Sequence, residues 1–157
     1  MPSPVELSDG DLVLRPWRDD DPATIGYTPR DPEISVYLGA PLSGAFPPPD
    51  PDAPWFAIVE NGDPVGRIWF AGWKRPFEVG YYLRPDARGR GLATRSLDIV
   101  CTWMAEQGEE TIELCTHPDN EHSQRVAERA GFRRAGEVEH YARFKDGTTR
   151  ALRYVWP

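Results

Sequence analysis

The chain has 157 residues, of which 39% are hydrophobic and 27% are charged, and its net charge at pH 7 is −7. This length predicts a single domain, residues 1–157, that buries about two-thirds of the surface of the unfolded chain. The acidic balance disfavours nucleic-acid partners, which usually select a basic excess. The sequence has neither a run of membrane-span length nor the basic and apolar regions of a signal peptide, so a cytoplasmic protein without membrane partners is expected.

The first part of the chain predicts one strand, two short helices and a loop. The strand is expected at residues 12–17, where Pro16 limits it to a sheet edge or to its own end. The acids at 19–21 are typical of a helix N-terminus, and a second short helix is expected from Asp31 to Leu38. Six prolines between residues 41 and 54 then predict a loop with extended stretches.

The middle of the chain predicts an antiparallel meander. Strands are expected at 55–59, 65–71 and 77–83, with a tight hairpin turn at Asn61-Gly62 between the first two. Apolar residues recur at helical spacing from Leu92 to Met104 and predict a helix there.

The last part of the chain predicts a strand, a helix and a hairpin. A strand at 111–116 follows the helix, and this strand–helix–strand crossover makes it parallel to the strand at 77–83. A further helix is expected from Asp119-Asn120 to Gly131. Residues 135–144 and 148–156 are expected to form the hairpin across Asp146-Gly147.

Residues 84–94, Arg-Pro-Asp-Ala-Arg-Gly-Arg-Gly-Leu-Ala-Thr, join a predicted strand to a predicted helix. Glycines at 89 and 91 allow positive φ, so several N–H groups can point at one anion, and the helix start adds its own donors and dipole. Four arginines lie in or beside the stretch, at 84, 88, 90 and 95. These features predict a phosphate-binding loop.

Two known phosphate motifs are excluded for this loop. A P-loop needs Lys and Ser or Thr after its glycines, where this chain has Leu92 and Ala93, and a dinucleotide fingerprint needs a small third residue, where Thr94 stands. The remaining pattern, Arg/Gln-x-x-Gly-x-Gly/Ala, resembles the coenzyme A pyrophosphate loop of the GNAT superfamily of N-acetyltransferases.

Two more segments carry the same resemblance, in the same order along the chain. Phe77–Leu83 is similar to the fourth strand of that family. Pro118–Phe132 is similar to the last helix of its ribosomal-protein-alanine N-acetyltransferase branch. The resemblance covers roughly residues 10–156 and is poorest at 27–54. It implies an α/β (α+β) fold: a mixed, mostly antiparallel twisted sheet of 6–7 strands, about four helices, and a parallel, splayed central strand pair.

The resemblance implies acetyl-CoA as co-substrate, bound between the splayed strands. Backbone groups near Leu83 and Arg84 would pair with pantetheine as an added strand does, and Asn120 would also bond to pantetheine. The candidates for the ribose phosphate are Arg88, Arg90 and Arg125. The backbone N–H groups expected to hold the pyrophosphate are those of Gly89, Arg90, Gly91, Leu92, Ala93 and Thr94.

The resemblance also implies transfer of an acetyl group to a primary amine in a ternary complex. Glu78 stands where some members place the general base, although a solvated strand carboxylate is an equal alternative. Ser123 is the candidate donor to the leaving thiolate, with helix capping as its alternative. Tyr141 is a second candidate donor, with packing as its favoured alternative. A backbone N–H near Leu83 would stabilise the developing oxyanion.

Two histidines and both cysteines are expected to have structural rather than catalytic roles. His117 and His122 are expected to be exposed loop histidines without orienting partners, and Cys101 and Cys115 to be buried free thiols. Because histidines and cysteines show no ligand spacing along the chain, no metal is expected.

The acceptor is an amine on a peptide N-terminus or a small molecule, and the protein is a monomer or a homodimer. A non-catalytic acyl-CoA-binding module or sensor with the same fold is the alternative function. The proline-rich segment 41–54 departs from the family pattern, so the resemblance does not define the acceptor groove.

Overall fold

A computed structural model describes residues 4–21, 54–71, 75–140, 143–144 and 146–157. These residues form eight strands, two α-helices and one 3₁₀ turn. The strands are β1 (Leu7–Asp9), β2 (Leu12–Pro16), β3 (Trp55–Glu60), β4 (Asp63–Ala71), β5 (Phe77–Leu83), β6 (Ile112–Thr116), β7 (Arg133–Glu139) and β8 (Arg150–Trp156). The helices are α1 (Leu92–Glu106) and α2 (Glu121–Arg129), and the 3₁₀ turn is Pro85–Ala87.

All eight strands belong to one sheet in the order β1-β2-β3-β4-β5-β6-β8-β7. Every neighbouring pair is antiparallel except β5 and β6, which are parallel. The predicted mixed, mostly antiparallel sheet with one parallel central pair is therefore confirmed.

The predicted element counts were wrong in part. Strand β1 was not expected, because Leu7-Ser8-Asp9 holds only one apolar residue and shows no alternation. The described residues form two α-helices rather than about four. The two short helices expected before residue 39 fall almost wholly on 22–53, outside the described residues, as does nearly all of the proline-rich segment. Strand β7 begins two residues earlier than predicted and ends at Glu139.

The hydrophobic core lies between one face of the sheet and the two helices. Alternate residues of β5, Phe77, Val79 and Leu83, point into this core, as expected from the two-residue period of a strand. Helix α1 contributes most of the helical side. Neither helix of the described part has the length and apolar character needed to cross a membrane.

The opposite face of the sheet carries aromatic and charged residues. The guanidinium of Arg67 lies 5.2 Å from the ring centroid of Trp55 and 4.6 Å from that of Trp69. Burial lowers the pKa of Arg67 to about 10. By strand alternation Glu78, Gly80 and the aromatic rings share this face.

Strands β5 and β6 share a very short ladder. Only Phe77 with Ile112 and Glu78 with Glu113 are paired, whereas β5 stays paired with β4 as far as Leu83. A gap therefore opens between β5 and β6 beyond Glu78. Near its closed end, Arg75 bonds to both carboxylate oxygens of Glu109, each at 2.8 Å.

Candidate active site

The glycine loop between β5 and α1 presents backbone donors at a helix start. Gly89 has φ of 79° and Gly91 has φ of 78°. A Cβ at either position meets no atom within 4 Å, so it is the backbone conformation that calls for glycine. The first helical bond runs from Arg95 N–H to the Gly91 carbonyl, at 3.0 Å. The N–H groups of residues 92–94 therefore lie free of intrahelical acceptors, at the positive end of the dipole.

Arg84, Arg90 and Arg95 of the loop region are each paired with acidic side chains. Their ion pairs are Arg84 with Asp63 and Asp86, each at 3.0 Å, Arg90 with Glu60 at 2.7 Å, and Arg95 with Asp9 and Asp11, each at 3.2 Å. Local positive charge is thus smaller than the sequence suggests. Arg125, on α2, lies 3.7 Å from Glu121 and is exposed.

Arg88 supports the end of β5. Its Nε donates to the Leu83 carbonyl at 3.0 Å, and its guanidinium lies 5.5 Å from the centroid of the Tyr82 ring. The residue expected to contact the ribose phosphate therefore also fixes the strand end at the gap.

Leu83 and Arg84 differ in what their backbones offer. Arg84 N–H donates to the Val65 carbonyl at 2.8 Å, and the Arg84 carbonyl accepts from Ala87 N–H at 2.9 Å. Because N–H groups alternate in direction along an antiparallel strand, that of Leu83 faces away from β4 and into the gap. Leu83 therefore stays a candidate for pairing with pantetheine through its N–H, whereas both backbone groups of Arg84 are already used within the protein.

Glu78 lies at the closed end of the gap. Its side chain is 18% exposed, and its two carboxylate oxygens lie 2.8 and 3.1 Å from Nε2 of His140. The His140 ring is stacked on Phe144, with centroids 6.0 Å apart. His140 was not predicted from the sequence, because no local sequence pattern connects it with Glu78, which lies 62 positions earlier.

Cys115 completes a group of three around Glu78. A carboxylate oxygen, the Cys115 Sγ and a His140 ring nitrogen lie within 4.8 Å of one another. Burial, followed by the charges of Glu78 and Glu113, raises the pKa of the Cys115 thiol. Sequence spacing does not reveal such a group, since its members come from separate parts of the chain.

Ser123 and Asn120 lie at the start of α2. The Asn120 side chain accepts from Ser123 N–H at 3.2 Å, which is the capping arrangement. The Ser123 hydroxyl lies 3.2 Å from the Tyr81 hydroxyl. Burial raises the pKa of Tyr81 to about 12, so this phenol remains a proton donor at neutral pH. Tyr141, the other candidate donor, lies outside the described residues.

Glu78 and Tyr81 lie on opposite faces of β5, because they are three positions apart along the strand and the faces alternate at each position. The carboxylate is on the face with Trp69, and Tyr81 packs against the helix side. A group held in the gap would thus have the carboxylate on one side and the paired hydroxyls on the other.

The interpretation of His117 was wrong. This residue is 6% exposed, and its Nε2 lies 2.7 Å from an Asp146 carboxylate oxygen. Its Nδ1 accepts from Asp119 N–H at 3.0 Å, which orients the ring. His122 is exposed as expected. Both cysteines are free thiols, with Cys101 buried and Cys115 half-buried.

These residues fit a coenzyme A derivative. The helix start offers several N–H groups to a pyrophosphate, and the ladder between β5 and β6 ends where a pantetheine arm would pair with the Leu83 backbone.

Solved structures with this fold include several acetyltransferases. The ribosomal-protein-S5-alanine acetyltransferase of Vibrio fischeri matches with a TM-score of 0.74 and 18% identity, over 97% of this chain and 96% of the other. RimJ of Mycobacterium smegmatis, in complex with CoA-disulfide, matches with a TM-score of 0.75 and 21% identity, over 96% and 85%. RimL, a ribosomal L7/L12 alpha-N-protein acetyltransferase in complex with coenzyme A, matches with a TM-score of 0.74 and 16% identity, over 94% of each chain.

Among curated proteins, none matches this sequence. Residues 11–133, most of the chain, match the acetyltransferase (GNAT) domain family. The resemblance seen in the three sequence segments is thereby confirmed: this chain belongs to the GNAT family and is an acetyltransferase.

Proposed function

We propose that this acetyltransferase moves the acetyl group of acetyl-CoA directly to a primary amine while both substrates are bound. Acetyl-CoA supplies the acetyl group as a thioester. The observation that carries the proposal is the position of Glu78, which the His140 ring holds at the closed end of the gap.

The donor half of the site is made mainly of backbone. The N–H groups of residues 89–94 bind the pyrophosphate, the Leu83 backbone aligns the pantetheine arm, and Arg88 holds Leu83 in place. Asn120 keeps its side-chain amide N–H groups for pantetheine while its oxygen caps α2. Arg90 and Arg125 reach the ribose phosphate only by leaving their acidic partners.

Glu78 acts as the general base. An amine attacks only when neutral: an α-amino group with a pKa of about 8 is partly neutral at pH 7, and a lysine with a pKa of about 10.4 is almost wholly charged. Glu78 accepts the amine proton, directly or through a water molecule, and its bond to His140 fixes the carboxylate.

Two further groups stabilise charge as the reaction proceeds. The Leu83 N–H donates to the thioester oxygen as negative charge develops there, a contribution of roughly 3 kcal/mol in comparable sites. The Tyr81 and Ser123 hydroxyls, on the other side of β5, donate to the leaving sulfur. Because a thiol has a pKa of about 8.5, this donor matters less than the base.

The acceptor we favour is the N-terminal α-amine of a protein. Two structural neighbours are ribosomal-protein acetyltransferases, and an α-amine needs less help from a base than a lysine does. A small-molecule amine is the other acceptor class, because the proline-rich residues 41–54 depart from the family pattern where the family forms part of its acceptor groove.

Thiol release from acetyl-CoA tests the proposal, with peptides, polyamines, amino acids and aminoglycosides as acceptors. We expect release with at least one α-amine peptide, and a loss of about 10²- to 10⁴-fold in kcat for Glu78→Gln. Glu113→Gln, on the same sheet face at the paired position, is the matched control and should keep most activity.

Saturating acetyl-CoA should also raise the melting temperature of wild type and Glu78→Gln alike, because the base does not bind the cofactor. A thermal shift without thiol release on any acceptor would instead favour the non-catalytic module, and no shift at all would contradict the cofactor assignment.

A further inference from the structure

We propose that Glu78, Cys115 and His140 form a binding site for one transition-metal ion, with Zn²⁺ as the ion that fits it best. The three side chains offer a carboxylate oxygen, a sulfur and an imidazole nitrogen within 4.8 Å of one another. Ligands on a tetrahedral zinc ion lie about 3.5 Å apart, since zinc–ligand bonds are about 2.0 to 2.3 Å long. To reach that spacing, the Glu78 oxygen and the His140 nitrogen, now 2.8 Å apart, would separate slightly, and the Cys115 sulfur would move toward them.

The ligand types select the metal. A thiolate and an imidazole suit Zn²⁺ and its neighbours in the first transition row, whereas Mg²⁺ and Ca²⁺ require oxygen ligands throughout. Three protein ligands leave the fourth tetrahedral position open to water or another small ligand.

The ligands are held on rigid elements. Glu78 and Cys115 lie on β5 and β6, on the same face of the sheet, because Glu113, two residues before Cys115, pairs with Glu78. His140 directly follows β7, and its backbone N–H donates to the Thr149 carbonyl at 2.7 Å. Stacking on Phe144 fixes the plane of its ring. Such support limits the conformational entropy lost when a metal binds.

The surroundings favour a cation. Glu113 adds a second carboxylate beside Cys115, partly offset by its ion pair with Arg153. Metal binding releases two protons to solvent: the thiol proton of Cys115 and the proton that Nε2 of His140 shares with Glu78. The imidazole is then neutral, with its remaining proton on Nδ1. Three metal–ligand bonds replace the hydrogen bonds now joining these groups.

The site overlaps the base of the reaction, so a bound metal would act as an inhibitor. A Glu78 carboxylate on Zn²⁺ cannot accept the proton of the amine. This consequence rests on the proposed function, whereas the metal site itself does not.

Cobalt spectroscopy tests the site without any acetyl-transfer assay. Co²⁺ added to metal-free, full-length protein should produce a thiolate-to-cobalt charge-transfer band and the intense visible bands of a four-coordinate ion, saturating at one equivalent. Zn²⁺ should remove both sets of bands, since it ranks above Co²⁺ in affinity, and Mg²⁺ should not.

Variants assign the bands to these residues. The chain has two cysteines, so Cys115→Ser should abolish the charge-transfer band, while the control Cys101→Ser, in the core on α1, should keep it. Glu78→Gln and His140→Ala should each weaken Co²⁺ binding by at least about tenfold. Loss of a residue that only supports a metal ligand already lowers metal affinity by about tenfold or more, and these two residues are ligands themselves. Circular dichroism checks that each variant is folded.

Absence of the band in wild type, or its survival in Cys115→Ser, would overturn the metal site. Inhibition is a separate readout: Zn²⁺ should abolish acetyl transfer by wild type, a chelator should restore it, and Cys115→Ser should be less sensitive. An inactive wild type that still binds cobalt would refute the proposed function and leave the metal site standing.

Discussion

The hydroxyls of Tyr81, on β5, and Ser123, in the first turn of α2, lie 3.2 Å apart, and under the proposed function they donate together to the leaving sulfur. If they act as a unit, removing either one breaks the same proton path. Tyr81→Phe and Ser123→Ala should each lower kcat by about tenfold, and the double variant should lose little more than either single one. Steady-state kcat values for the four proteins measure the coupling, and strictly multiplicative losses would show that the two hydroxyls act independently.

Asp146 gives a pH-dependent contact at the tip of the last hairpin. Bonds from the Thr148 hydroxyl and N–H, and then from His117, lower the pKa of Asp146 to about 2. The unfolded value is about 3.9, and a depressed pKa means that the stabilisation is complete above that value and lost as pH falls through about 2.

Amide exchange at Thr148 should therefore quicken as pH falls from about 4 to 2, beyond the intrinsic pH trend. Thr148→Val, which removes the hydroxyl, should raise the pKa of Asp146 toward its ordinary value, as followed by carboxyl NMR shifts. An unchanged value would mean that the hydroxyl bond is not the main cause.

At the scale of elements, the close pairing of β4 with β5 positions the end of β5. A Cβ on Gly66 would lie 2.2 Å from the Tyr82 carbonyl oxygen and 3.1 Å from Leu83 Cα, both backbone atoms. Gly66→Ala should therefore push β5 off β4, cost about 1–3 kcal/mol of stability and weaken acetyl-CoA binding. Gly80→Ala is the comparison, because the three atoms nearest to its Cβ all belong to the Trp69 side chain, the closest at 2.6 Å.

Trp69 can turn away from such a Cβ, so the Gly80 variant should lose less stability. Urea unfolding midpoints rank the two proteins, and a Gly80 variant that is the less stable would contradict this account.

Local pattern explains which elements were predictable. Apolar periodicity and turn residues such as Asn61-Gly62 predict strands β3, β4 and β5 and helix α1. The fold and the glycine loop could therefore be predicted from the sequence. Strand β1 has no such pattern. The contacts of Glu78 with His140, and of His117 with Asp146, depend on strand order and on a hairpin far along the chain, which no local pattern encodes.

At the scale of the whole molecule, charge does less for cofactor binding than the arginine-rich loop suggests. Four loop arginines face five acids in their ion pairs and in the 84–94 turn, on a chain of net charge −7. Binding should rest on backbone N–H groups, so the Kd for coenzyme A should change less than about threefold between low and high salt.

Glu60→Gln removes the carboxylate that pairs with Arg90 and should give tighter binding at low salt with a steeper salt dependence. Calorimetric titrations at several salt concentrations compare it with wild type. Steep salt dependence in wild type would show that the arginines leave their acidic partners to bind phosphate.

The two-residue ladder between β5 and β6 has a consequence for solubility. Beyond it, each strand presents a row of backbone N–H and C=O groups along the gap, so a sheet of eight strands carries two edges in its interior as well as the two at its rim. Unprotected edges are where chains pair wrongly and aggregate. A cofactor that pairs with the β5 edge would guard the enzyme against association as well as take part in the reaction, and cofactor-depleted preparations should aggregate sooner on gentle heating.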